Sequence, residues 1–422
     1  MISSSFYLSF RSMKNRMLSS LLTVLSISLS VSLLLGVQKV REGAKVSFEN
    51  TISDTDLIIG ARTGPVQLLL YSVFHIGNAS NNISYSSYQD ISKNKEVVWT
   101  IPISLGDSHK GYRVVGTNRK IFSHFKYGRK KPLRFDTGKE FSDTFQVVLG
   151  AEVAKKLSYK IGANLILSHG VSDISFQHHD DKPFTVSGIL QKTGTPVDRS
   201  LFISLEGLEA MHLDWQDGAP PLEEERISAE QVKGMQLSPQ SITAFLVGLR
   251  SKIGIFRLQR EINQFETEAL TAILPGATFR ELWQTVGIAE NALLVVSFFV
   301  VIAGVLGMLA SILSTLDERR REIAIIRSLG GKPRDIFFLL LSESITLASM
   351  GCLLGTIGIY ACLYFAQPFI ESQFNFFIPI HTLSAYDIYL IMTVLGISIV
   401  AGTIPAVKAY RQSLTDGLSI KV

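Results

Sequence analysis

Imidazole and carboxylate groups crowd into one stretch of this chain. His169 to Asp181 (HGVSDISFQHHDD) gathers three histidines and three aspartates. Both groups are zinc ligands, and outward-facing ones could trap a metal. His178 and His179 are adjacent, however, and neighbours on a strand point to opposite faces. The alternative is a solvated loop. No metal is assigned, and His169, His178 and His179 are the weak candidates. Catalytic spacings are missing altogether: the sequence has no H-E-x-x-H, no G-x-S-x-G and no C-x-x-C. A P-loop needs a glycine, four residues, then Gly-Lys-Ser/Thr, so that backbone N–H groups can cradle phosphates. Gly331-Lys332 is followed by Pro333 and has Ile326 where the first glycine belongs, and Gly138-Lys139 is followed by Glu140. The chain is therefore expected not to be an enzyme and to hold no cofactor of its own.

The two cysteines, Cys352 and Cys362, share one apolar stretch. On a helix they lie about 15 Å apart, beyond the ~7 Å a disulfide tolerates. In the same stretch stands Glu343, a carboxylate that is costly in lipid unless paired or near the interface. Two readings stay open for it. It can transmit motion from the preceding loop, or it can be a helix-end carboxylate paired with a nearby basic residue or reaching headgroup water. Gly351 and Gly355 form a small-xxx-small pair, as do Ser28 and Ser32, a spacing that favours close helix packing.

These residues must be positioned by membrane helices. Of 422 residues, 46% are apolar and 18% charged, against about 25% charged in soluble domains, and the mean hydropathy is +0.27. A net charge of +5, with no long basic run interleaved with aromatics, excludes a nucleic-acid partner. Four spans can each cross ~30 Å of hydrocarbon: residues 17–38, 286–316 (uncharged from Asn291), 336–366 (apolar except for Glu343) and 388–407. Val66 to Phe74 is apolar but too short. The first run has the basic lead of a signal peptide but is too long and lacks a cleavage site, so a retained anchor is expected.

Orientation follows from positive charge. Arg11, Lys14 and Arg16 precede the first span. Arg319, Arg320, Arg321, Arg327, Lys332 and Arg334 lie between spans two and three, and Lys408, Arg411 and Lys421 follow the fourth. Residues 367–387, between spans three and four, contain no Lys or Arg. Segments 1–16, 317–335 and 408–422 are all cytoplasmic only if both termini are inside. Residues 39–285 then form an outer domain, and 367–387 a short outer loop.

Within 39–285, β-like runs recur at Asp56–Ile59, Tyr112–Val115, Gln146–Leu149, Asn164–Leu167, Phe184–Leu190 and Leu201–Ser204. Helical patterns fall at Ala151–Leu157, Leu205–Met211 and Lys252–Leu274. Polar Ala219–Gln236 reads as a surface loop or linker. The pattern from Ile253 onward leads toward span two as a stalk, with Pro275 expected to break or kink it. The fold class expected is an α-helical membrane domain of four transmembrane helices with a large α+β extracytoplasmic domain.

Between spans two and three, Ile323, Ile326 and Leu329 recur at i/i+3 spacing while Arg319, Glu322 and Arg327 fall largely on other faces. Gly330-Gly331 stops the pattern and Pro333 stands near the next start. A short amphipathic helix here can lie on the membrane surface or enter a groove on a partner, or the segment can be an ordinary solvated loop. Its wording, DERRREIAIIRSLGGKPRDI, followed by Glu343 and Gly351/Gly355, resembles the hallmark region of FtsX-like ABC permeases, the superfamily of MacB and lipoprotein-releasing LolC/LolE. The ending IPAVKAYRQSLTDGLS resembles the family's C-terminal pattern through Pro405, Ala406, Ala409 and Leu418, with Leu414 where a second proline would stand. VVLGAEVAKKLSYKIGANLIL and FTVSGILQKTGTPVDRSLFISL resemble the MacB-like periplasmic domain. Residues 39–146 are placed only as the start of that domain.

The resemblance implies a permease subunit of the bacterial inner membrane. It implies a separate ABC ATPase partner that binds ATP and Mg, since only 16 residues precede the first span. It implies a second permease copy or paralogue, contact with membrane lipids, and a periplasmic or lipoprotein partner. Glu318, Arg319, Glu322, Ile323, Ile326, Arg327 and Leu329 would couple to the ATPase; Glu343, Gly351 and Gly355 would pack and transmit within the membrane. The work would be extraction or export of a lipoprotein, lipid or other envelope substrate. The rival is a membrane-anchored receptor or scaffold signalling through its cytoplasmic loop; a neighbouring reading frame with a P-loop and an ABC signature would favour the transporter, a kinase or regulator neighbour the receptor.

Overall fold

The computed structural model describes residues 16–169, 182–214, 227, 229–232, 235, 237–316, 325, 327–328, 330–374 and 382–415. It divides into a helical unit (Met1–Gly43, Val286–Phe369, Ile378–Val422) and a second unit (Ala44–Thr285, Ile370–Phe377).

Among the described residues, four helices are long and apolar enough to cross a membrane: α1 (Met17–Glu49), α2 (Pro275–Thr315), α3 (Pro333–Phe374) and α4 (Ala385–Thr415). Their ends outrun the uncharged stretches, because a charge ends a lipid-facing run without ending a helix. α1 continues through Lys39, Arg41 and Glu42 to Glu49. α4 continues through Pro405 to Thr415.

The second unit is built on a mixed sheet. Its strands are β1 (Leu57–Ala61), β2 (Val97–His109), β3 (Tyr112–Thr117), β4 (Phe135–Gly138), β5 (Gln146–Leu149), β6 (Phe184–Leu190), β7 (Ser200–Ser204), β8 (Ala244–Leu249) and β9 (Leu270–Ile273). They lie in the order β9-β1-β8-β2-β3-β7-β5-β6-β4, with Ser168–His169 pairing β2 and Asn164–Leu165 pairing β6. The pairs β3/β7 and β5/β6 are parallel, and the other neighbours on this path are antiparallel. Long β2 serves both halves: its first part pairs β8, its last part β3.

Strands covered on both faces bury every residue. In β1, Leu57 and Ile59 enter one core with Phe245 and Val247, while Ile58 enters another with Ile101, Val115, Val148 and Phe202. In β7, Leu201 and Ile203 join Val147, Leu149 and Phe184 in a third. The apolar stretch at Val66–Phe74 becomes the helix Pro65–Val73, with Leu68, Leu69 and Tyr71 buried against the sheet.

The expected helix over Lys252–Leu274 is corrected. A 3-10 turn at Lys252–Gly254 leads into an α-helix that ends at Asn263, and Leu270–Ile273 is the edge strand β9. Leu270 and Ala272 are buried beside half-buried Thr271, a period of two. Asn263 holds the turn between them, its Oδ1 accepting from Ala272 N at 2.7 Å. Pro275 breaks nothing: it is the first residue of α2, where a missing N–H costs no hydrogen bond. Most of Ala219–Gln236 lies outside the described residues, apart from a short helix at Ala229–Val232.

Gly248 in β8 lies opposite Trp99 of β2, and a Cβ on it would sit 2.1 Å from the indole ring. The indole covers a glycine in the ladder, and a methyl there must displace a flat, rigid ring. Gly248→Ala is expected to destabilise the sheet domain by about 1–3 kcal/mol, the usual cost of overpacking. Chemical unfolding followed by tryptophan fluorescence checks it; an unchanged midpoint would contradict the packing.

Candidate functional site

Between membrane helices, lipid removes most of the hydrophobic driving force, so close backbone approach and buried polar contacts must hold the bundle. α1 makes the most of both. A Cβ on Gly355 of α3 would lie 2.6 Å from the Ser28 carbonyl oxygen and 2.9 Å from Val31 Cβ. One on Gly351 would lie 2.6 Å from Ile27 Cγ2. Ser32 Oγ donates to the Gly355 carbonyl at 2.8 Å. Residue numbers rise together along this contact, so α1 and α3 run parallel.

α1 meets α2 in the opposite sense. Ser19 and Ser311 share a hydroxyl hydrogen bond of 2.6 Å, and Ser30 Oγ donates to Ser26 O at 2.8 Å and to Val300 O at 3.1 Å. Gly304 leaves room for that hydroxyl, since a Cβ there would stand 2.7 Å from it. On α4, a Cβ on Gly402 would lie 2.5 Å from Ser344 Cβ of α3.

One end of the bundle is tied by charge. Lys39 Nζ lies 2.7 Å from Asp387 Oδ2 and 3.6 Å from Glu42, and Arg41 Nε lies 2.9 Å from Glu290. The Lys39 side chain is 3% exposed and that of Asp387 is fully buried. Asp387 also starts α4: its carboxylate accepts from Ser384 N at 2.8 Å while Ser384 Oγ accepts from Asp387 N at 3.1 Å. This is a reciprocal capping box. These ion pairs join α1 to α4 and α1 to α2.

Glu343 lies roughly 15 Å along α3 from Pro333. It is 3% exposed, between buried Ser342 and Ser344, and it is not isolated. Of the loop, Glu318, Arg319, Glu322, Ile323, Ile326 and Leu329 lie outside the described residues. Arg327 is helical and half-buried, and Ile325 is exposed. Gly330 adopts φ +90°, which only glycine takes readily, and Pro333 opens α3 with Asp335 accepting from Lys332 N at 2.7 Å.

Of the metal candidates, His178 and His179 lie outside the described residues. His169 pairs Asp107 through its backbone at the end of β2. Among the described residues no three His, Cys, Asp or Glu side chains come together as a metal cage. His109 nearby is committed to structure. Its Nδ1–H donates to the Ile166 carbonyl at 2.6 Å, so Nε2 accepts from Tyr159 OH at 2.9 Å. Burial pushes its pKa below the ordinary imidazole value, which fits that neutral form.

Sequence reasoning missed Lys39, Arg41, Glu290 and Asp387. The Ser384-x-x-Asp387 spacing could have marked the capping box, but nothing local marks the partner lysine.

Comparison with known proteins bears on the whole arrangement. The FtsX-like permease C-terminal family matches residues 294–414, and the MacB-like periplasmic core domain matches 20–264. The uncharacterized ABC transporter permease YvrN of Bacillus subtilis (strain 168) is 35% identical over 117 residues, 26% of each protein. The chain thus aligns with about a quarter of that relative's length. The periplasmic region of MacB from Actinobacillus actinomycetemcomitans covers 55% of this chain and 94% of its own at 11% identity, with a TM-score of 0.33. The extracellular domain of the noncanonic ABC-type transporter YknZ from Gram-positive bacteria covers 52% and 99% at 12% identity, with a TM-score of 0.31. With four apolar helices, a mixed α+β sheet domain and a core-domain match over more than half its length, the chain belongs to the FtsX-like ABC transporter permeases that carry a MacB-like periplasmic core domain.

Proposed function

We propose that this permease couples ATP hydrolysis by a separate ABC ATPase subunit to conformational work by its outer domain, in extraction or export of a lipoprotein, lipid or other envelope substrate. The observation that carries the reading is the presence of both family matches on one chain, one over the bundle and one over the sheet domain. The chain sits in a bacterial inner membrane with both termini cytoplasmic and the sheet domain periplasmic. It acts with a second permease copy or paralogue.

ATP and Mg bind the partner. Closure of the ATPase pair moves the segment 317–335, whose Ile323, Ile326 and Leu329 fill a groove on the ATPase while Glu318, Arg319, Glu322 and Arg327 fix register by charge. Glu343 and the α1 contact at Gly351 and Gly355 then oblige α1 and α3 to move together. Backbone-to-backbone packing suits a lever better than a pore. α1 and α2 run on into the sheet domain's own residues, at Ala44 and Thr285, and so are the covalent route by which motion would reach it.

Ile326→Asp tests this. A charge in an apolar groove contact is expected to lower ATPase stimulation in the reconstituted complex by tenfold or more, corresponding to about 1.4 kcal/mol or more. The circular dichroism of the sheet domain stays unchanged. Full ATPase assembly and activity in that variant would end the coupling role.

A further inference from the structure

A cavity of about 430 Å³ opens within the sheet domain, inside the roughly 300–1,000 Å³ range of small-molecule sites. Its rim is made of turns in left-handed backbone: His75 (φ +55°) and Gly77 (+77°), Gly111 (+79°) and Gly194 (+71°). A histidine in that conformation is held there by its surroundings, and such residues gather at ligand clamps. Ser200 Oγ donates to the Pro196 carbonyl at 2.9 Å, so its 2.9 Å bond to His75 must be donated by Nδ1–H. His75 therefore presents Nε2 as an acceptor, and burial, assisted by Arg113, pushes its pKa down to about 4 and keeps it neutral.

Two arginines, Arg113 and Arg199, line the cavity. Arg113 is the cross-strand neighbour of Ser200 in the β3/β7 pair, so both side chains lie on one face. Its Nη2 donates to Gly77 O at 2.7 Å and Asn78 Oδ1 at 2.8 Å. Those bonds steady the guanidinium at the rim and leave Nε and Nη1 to a ligand. Arg199 lies over the Tyr112 ring at 5.8 Å. An apolar side of the wall is formed by Phe48 and Phe74, their ring centroids 4.7 Å apart and tilted by 38°, with Ile76 57% exposed at the mouth.

Guanidinium forks match carboxylate and phosphate, and aromatic walls match hydrocarbon. We propose that this cavity binds a small amphiphile with one anionic head. The head lies between Arg113 and Arg199, and the apolar body runs along Phe48, Phe74 and Ile76. The site stands whether or not its ligand is cargo, so failure of ATPase coupling leaves it untouched.

The test uses the full chain in phosphatidylcholine nanodiscs and a lysophosphatidic acid carrying a diazirine in its acyl chain, with crosslinks mapped by mass spectrometry. Label is expected on the peptides containing Phe48 and Phe74–Gly77. A monoacylglycerol with the same chain is expected to label them at least tenfold less, the scale of a charge-assisted hydrogen bond. Arg199→Gln should lower labelling about tenfold. Arg113→Gln also loosens the Gly77–Asn78 turn, so Ile76→Asp, at an exposed position, serves as the second variant and should lower labelling too. Equal labelling by the monoacylglycerol, label confined to α1–α4, or indifference to both Arg199→Gln and Ile76→Asp would overturn the proposal. So would complete competition by millimolar inorganic phosphate, which would make this a free-phosphate site.

Discussion

Asp387→Asn is expected to destabilise the purified permease by about 3–5 kcal/mol, the usual cost of removing one partner from a buried ion pair. The amide can still accept from Ser384 N, so the α4 cap survives and the loss reports the charge alone. Lys39 is left 3% exposed with Glu42 at 3.6 Å as its remaining counter-charge. Glu42 is 39% exposed and can soften the loss, which places the result at the lower end of the range. Asp387→Ala adds the lost cap, about 1 kcal/mol more. Lys39→Met combined with Asp387→Leu should recover most of the stability, because an apolar pair of similar volume commonly equals or exceeds a buried ion pair. Thermal unfolding in nanodiscs gives the ranking. Should the double variant fall as far as the single one, the site matters for its shape and not for its charge.

Gly355→Ala on α3 follows as the second large effect, and its ranking among neighbours is the sharper test. The new methyl would stand 2.6 Å from a backbone oxygen of α1, which cannot rotate away. At Gly351 the obstacle at 2.6 Å is Ile27 Cγ2, a side-chain atom that can turn aside at some rotamer cost. At Gly358 the nearest atom is Ser32 Oγ at 3.5 Å, an ordinary contact. The expected order of destabilisation is therefore Gly355→Ala, then Gly351→Ala, then Gly358→Ala. The first costs about 2–3 kcal/mol and the last stays within about 0.5 kcal/mol, given typical overpacking and surface-like substitution costs. Thermal midpoints measured side by side decide it; a Gly358 variant as damaged as the Gly355 variant would contradict the α1–α3 interface.

The apolar scaffold was readable because its signals are local. Long apolar runs announced the four helices, and short apolar strands bounded by turns announced Gln146–Leu149 and Phe184–Leu190. Val97–His109 went unread. Pro102 and the Gly106-Asp107 pair argue against a strand, yet both lie within β2, which changes partner along its length. Leu270–Ile273 read as helix because Glu266 to Ala269 favour one, and only the β1 register and the Asn263 contact make it a strand. In the bundle, spacing singled out Ser28/Ser32 and Gly351/Gly355 but could not say that the two pairs face each other. Lys39 and Asp387 stood at the ends of uncharged runs and read as boundary marks. Their pairing depends on two helices distant in sequence meeting at one end, which no local pattern encodes.

Strand β9 ends at Ile273 and α2 begins at Pro275, so Leu274 alone joins them. The Leu274 carbonyl already accepts from Ala277 and Thr278 in the first turn of the helix. A joint that short has no slack: a twist of α2 about its own axis cannot be dissipated in a linker and arrives as torque on the rim of the sheet. Its first recipient is the β9–β1 ladder, whose Ile58–Ile273 and Ile59–Ala272 pairs carry that load inward.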